Sequence, residues 1–82
     1  MSAVEEKVKE IIIKIVRKPE LDFTPTTTFK DMEADSLDIV QILVALEDTY
    51  DIEIIDEDLQ EIANMGDFVA YIERKVAARQ AA

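Results

Sequence analysis

Residues 33 to 50 constrain this chain more than any other stretch. They read Glu-Ala-Asp-Ser-Leu-Asp-Ile-Val-Gln-Ile-Leu-Val-Ala-Leu-Glu-Asp-Thr-Tyr. Asp35 and Ser36 are good N-cap residues, because their side-chain oxygens can accept from the free N–H groups of a first helical turn. Asp38 follows Asp35 by three, the spacing of a capping box. Apolar residues then recur at helical spacing, so the stretch predicts a helix from about Ser36 to Tyr50. A serine hydroxyl would sit at its exposed start, with an acid on either side.

The apolar face of that helix is too wide to bury entirely. At about 1.5 Å per residue the helix is roughly 20 Å long, close to the width of a small domain. Ile42, Leu46 and Tyr50 form one line, assigned to the core with Ile39 and Leu43 beside it. Leu37, Val40 and Val44 form a second line, rotated away. Either all of them are core, or the second line stays partly exposed among Asp38, Gln41, Glu47 and Asp48. The latter would suit a transient docking surface.

At 82 residues the chain is read as one domain over 1–82, with an ordered core at about 3–76. The single Gly and two Pro argue against a turn-rich all-β chain. With no Cys and no His, disulfides, thiolate metal sites and Cys–His or Ser–His chemistry are excluded. No nucleophile and base converge, so an enzyme is not expected. No run is long enough to span a membrane and no signal peptide is evident, so a cytoplasmic monomer without membrane insertion is expected.

The net charge of −10 is unevenly spread. Residues 31 to 61 hold twelve of the nineteen acids and no Lys or Arg. Such a field repels nucleic acid and attracts basic patches on partner proteins.

Val4, Val8, Ile11, Ile12, Ile15 and Val16 give a first amphipathic helix behind a Ser2–Glu5 capping box, stopped by Pro19. A long loop runs to Glu33, with Leu21, Phe23 and Phe29 as anchors. Asp51 to Ile55 reads as an extended linker planting Ile52 or Ile54 in the core. Asp56 to Ile62 reads as a short, weakly anchored third helix with Asp56 as its N-cap. Its acids lack the glycine and spacing of a calcium loop, so no metal site is expected. Asn64 and Asp67 open a final helix with Phe68, Val69, Ile72 and Val76 inside and Tyr71 at the edge; residues 77–82 are expected to fray. The expectation is therefore an all-α four-helix bundle, three longer helices plus a short third one, with a long loop between the first two.

Ala34-Asp35-Ser36-Leu37-Asp38, the later Ala45-Leu46-Glu47 and Tyr50-Asp51-Ile52-Glu53-Ile54 resemble the acyl carrier protein family. The resemblance runs from about Val4 to Ile72. It implies a non-catalytic shuttle in which Ser36, flanked by Asp35, Leu37 and Asp38, bears 4′-phosphopantetheine transferred from coenzyme A. The arm's thiol would hold acyl groups as thioesters in fatty acid or specialised lipid or polyketide biosynthesis. Implied partners are a phosphopantetheinyl transferase and acyl-transferring or chain-elongating enzymes with basic patches. These would contact Leu37, Asp38, Val40, Gln41, Val44, Glu47, Asp48, Asp56 and Glu57. Leu46, Ile54, Leu59, Ile62 and Phe68 are candidates to line an acyl pocket.

Four residues depart from the family pattern, one of them Ile55, which stands where many carrier proteins have proline. Glu33 replaces the usual glycine before Ala-Asp-Ser, so any positive φ there would carry a side-chain penalty. Phe29 lies one residue nearer Ser36 than is usual. Phe68 stands where a small residue is more common, which implies a smaller or shifted pocket. The competing class is an unmodified acidic helical interaction module.

Overall fold

A computed structural model of the chain describes residues 3–20 and 22–81. Three α-helices, α1 (Ala3–Val16), α2 (Ser36–Tyr50) and α3 (Met65–Ala81), are joined by a long first loop and a short 3-10 helix, η1 (Asp56–Glu61). Among the described residues there is no strand. α1 packs against both α2 and α3. The core is aliphatic where they meet: Val8 and Ile12 of α1, Ile42 and Leu46 of α2, and Met65, Phe68 and Ile72 of α3 are fully buried. Burying such side chains contributes roughly 1.5–3 kcal/mol each against a large ordering entropy.

α1 ends at Val16 because Arg17 turns left-handed (φ 61), its N–H bonding Ile13 O at 2.9 Å, two residues before Pro19. The loop beyond is stitched down rather than loose. Thr24 N–H donates to Thr27 Oγ1 at 3.0 Å, and Thr27 is buried. The loop then pairs with the start of α3, Met65 N–H donating to Thr27 O (2.7 Å) and Gly66 N–H to Pro25 O (2.8 Å). A Cβ on Gly66 would lie 3.1 Å from that Pro25 oxygen, so glycine is needed for close approach. Phe23 and Phe29 anchor the loop against the core, together with Met32, which is fully buried. Leu21 and Ser2 lie outside the described residues.

Two sequence expectations need correction. Asp56 is not the N-cap of the third element: Ile55 occupies that place without a side-chain cap bond, and the element is a 3-10 helix with no buried residue. Tyr71 is not at an edge but 6% exposed. α3 continues to Ala81, and near its end the exposed Arg79 guanidinium reaches the Asp51 carboxylate and carbonyl at the left-handed C-cap of α2.

Candidate functional site

The head of α2 is built by its own sequence. Asp35, extended at φ −86, is the N-cap, and its Oδ1 accepts from Asp38 N–H at 2.8 Å. Asp38 Oδ2 accepts in return from Asp35 N–H at 3.4 Å, closing the capping box. Ser36 is the first helical residue and is exposed. Its hydroxyl makes no hydrogen bond among the described residues. The site is thus a free nucleophile-type oxygen at the positive end of a helix.

The approach to this site is strained. Glu33 sits at φ 57, the left-handed region that favours glycine. It closes a compact turn in which Thr28 and Asp31 cap each other and Ala34 N–H reaches back to Phe29 O at 3.1 Å. A non-glycine residue there costs roughly 1–2 kcal/mol. The Glu33 carboxylate meets Lys18 Nζ at 3.0 Å, an exposed pair that offsets little of that. The turn is also held from below by Phe29, whose ring meets Phe68 edge-on at 5.5 Å.

Leu37, Val40 and Val44 are 64%, 53% and 56% exposed, whereas Ile42, Leu43 and Leu46 are buried. α2 therefore keeps an apolar strip in solvent beside Ser36. Gln41, Asp48, Asp56 and Glu57 are also exposed. Ile55 adds a fourth large exposed hydrophobic, on the linker. Two acids expected at partner contacts also bond within the chain. Asp38 is half-buried in the capping box, and half-buried Glu47 accepts from the linker amide of Ile54 at 3.0 Å.

Leu46, Ile54 and Phe68 are buried in the core, and Leu59 is half-buried. Ile62 lines a groove of about 400 Å³ between η1 and α3, with Asp58, Glu61, Tyr71, Arg74 and Lys75 among its other walls. The fully buried Phe68 ring meets Phe29 edge-on where the helices converge.

Sequence reading also missed Tyr71. Its hydroxyl donates to Asp58 Oδ2 at 2.7 Å and accepts from Ile55 N–H at 3.3 Å. Burial, then the bond to Asp58, push its pKa above the ordinary 10.0, so the hydroxyl keeps its proton at neutral pH. The partners lie 13 and 16 residues away, so no local pattern announces them.

The arrangement fits a phosphopantetheine arm: an accessible, unbonded hydroxyl, room around it, and a helix N-terminus suited to a phosphodiester. Residues 6–72 match the family model described as the phosphopantetheine attachment site. The fold is similar to the solution NMR structure of the holo acyl carrier protein from Geobacter metallireducens. The TM-score is 0.86 at 25% identity, covering 98% of this chain and 93% of that one. Among the described residues no helix is long and apolar enough to cross a membrane. On the match over most of its length and the shared fold, the chain belongs to the acyl carrier protein family, a carrier with 4′-phosphopantetheine as its cofactor and not an enzyme.

Proposed function

We propose that Ser36 is the residue that bears the phosphopantetheine arm, and that this carrier presents acyl groups to enzymes of fatty acid or specialised lipid or polyketide synthesis in the cytoplasm. The observation that carries the assignment is the state of the Ser36 hydroxyl, exposed and unbonded at the head of α2 between two acids that satisfy each other. In the loading step Ser36 Oγ attacks the coenzyme A phosphorus nearest pantetheine. The Oγ–P bond forms as the pyrophosphate P–O bond breaks, and adenosine 3′,5′-bisphosphate leaves. The chain has no histidine to take the hydroxyl proton, so a base of the transferase takes it. Once attached, the arm supplies a terminal thiol that holds an acyl group as a thioester.

Asp35 and Asp38 fix the first turn of α2 and so hold Ser36 at a constant height and direction. Leu37, Val40 and Val44 offer an apolar contact, and Gln41, Asp48, Asp56 and Glu57 a polar rim, for enzymes with basic patches. The fully buried Phe68, edge-on to Phe29, supports a pocket smaller than or shifted from that of a fatty-acid carrier, with long tails poorly sheltered. Protection of acyl thioesters of increasing length, with and without Phe68→Ala, tests that point. Equal protection of long chains in both would remove Phe68 as the determinant.

The assignment itself is tested by incubating the apo protein with coenzyme A and a promiscuous phosphopantetheinyl transferase, then weighing it. A gain of one phosphopantetheine, lost in Ser36→Ala, is expected. No gain in the wild type would favour an unmodified interaction module.

A further inference from the structure

η1 begins without a cap of its own. Ile55 occupies the N-cap position and has no side-chain oxygen to offer. Asp58 stands three residues on, where a capping-box acid would reach back to the N-cap N–H. It does not make that bond directly. The Tyr71 hydroxyl from α3 lies between them, accepting from Ile55 N–H at 3.3 Å and donating to Asp58 Oδ2 at 2.7 Å. One phenol thus relays the reach-back half of a capping box from another helix, while Asp58 N–H bonds the Ile55 carbonyl.

Besides this, η1 is held by half-buried Leu59, packed against the core, and by backbone bonds at its two ends. It has no buried residue, and Asp56, Glu57, Asp58 and Glu61 crowd one short element with like charge. Among the described residues, the Tyr71 hydroxyl makes the side-chain hydrogen bond from α3 to η1. Arg74 and Lys75 lie 5.9 and 5.5 Å from the Tyr71 ring centroid, placing positive charge behind the phenol. The residues displayed at this junction are Ile55, a large hydrophobic left 44% exposed, and the exposed acids Asp56 and Glu57.

We propose that Tyr71 is a positioning residue for partner recognition: through its hydroxyl it fixes the start of η1, and so the Ile55–Asp56–Glu57 face shown to a docking enzyme. Tyr71 touches no cargo and no cofactor; it acts through the linker and η1. The inference rests on the carrier reading, since a partner must dock on that face for the effect to register.

The test uses Tyr71→Phe, which keeps the buried ring and removes only the oxygen. Two readouts are taken on the full-length chain. The first is amide hydrogen exchange. Amides of residues 55–62 should exchange about tenfold faster, the worth of one or two modest hydrogen bonds, while α1 and α2 keep their wild-type protection. The second is loading by the transferase with coenzyme A. KM for the carrier should rise several-fold, roughly threefold to tenfold, with kcat within twofold. Asp58→Ala should produce the same pattern, and the double variant should add little, because the two groups act as one device. Unchanged exchange at 55–62 would overturn the proposal, as would equal loss of protection in α1 and α2, which marks a general loss of stability. Faster exchange with an unchanged KM would show that the face does not recognise the transferase, and also overturns it. A wild type that is never loaded would instead count against the carrier reading, whereas the exchange result stands apart from it.

Discussion

Two short helical starts in this molecule solve the same problem in different ways. At the head of α2, four consecutive residues hold everything needed: Asp35 and Asp38 cap each other and leave Ser36 free. At the head of η1, the N-cap oxygen is missing, Asp58 does not reach back itself, and Tyr71 of α3 takes the Ile55 N–H in its place. A self-contained cap holds its shape whatever its surroundings do. A borrowed cap is only as firm as the contact between its two elements. The first suits a modification point that must stay fixed, the second a surface able to yield.

The largest perturbation should erase the contrast. Phe68 is fully buried and meets Phe29, which leads into the Ser36 loop. Phe68→Ala should cost about 3–5 kcal/mol by denaturant titration, a large part of such a domain's total stability. Because the loss is global, amide protection should fall at both helix starts together. A loss confined to one end would mean that the core does not join them.

Asp35→Ala sharpens the contrast from the other side. Loss of the cap should cost about 1 kcal/mol and speed exchange in the first turn of α2. Residues 55–62 should be untouched beyond that global loss. A matching local change there would show that the two caps are coupled and the distinction drawn above is false.

A smaller effect concerns the strained approach to Ser36. Glu33→Gly relieves the left-handed penalty but loosens the unfolded chain and loses the Lys18 pair, so a net gain of about 0.5 kcal/mol or less is expected. Glu33→Ala loses the pair and keeps the strain, so it should be less stable than the glycine variant. The reverse order, in paired thermal melts, would mean that the φ of 57 costs nothing.

The smallest effect appears only in alkali. Tyr71 has its pKa raised above 10.0, chiefly by burial and then by Asp58, with Arg74 of α3 opposing; Lys75 also stands near the ring. Its contribution to stability is therefore fully present below pH 10 and lost as pH rises through the folded-state pKa. Stability should fall from about pH 10 upward, less steeply in Tyr71→Phe. Burial also raises Tyr50, so some slope should survive the substitution. A variant as steep as the wild type would show that Tyr71 ionisation is not what alkali disturbs.

The same contrast explains what the sequence could show. The bounds of α2, its N-cap and its two apolar lines are matters of spacing within a few residues, and they were legible. So was the risk of a positive φ at Glu33, because one glycine was missing from a familiar run. The cap of η1, the Arg79 hold on Asp51 and the Glu47 bond to Ile54 were not, because each joins residues that only the fold brings together. The bonds of Tyr71 also explain why it reads as an edge residue in the sequence and is buried in the fold. The acyl-pocket candidates are a different case: apolar residues at helical spacing mark a core, and Phe68 is fully buried in it, but spacing does not say whether a core has room inside.

The central claim is that one oxygen, Ser36 Oγ, is presented exposed and unbonded at the head of α2 for modification. Fragmentation mass spectrometry of the coenzyme A-treated protein tests it by locating the added group. The account predicts the phosphopantetheine on Ser36 alone, with Asp35→Ala still modified there but more slowly. An adduct on another hydroxyl, such as a threonine of the 24–28 cluster, would contradict it, as would a wild-type chain that stays unmodified.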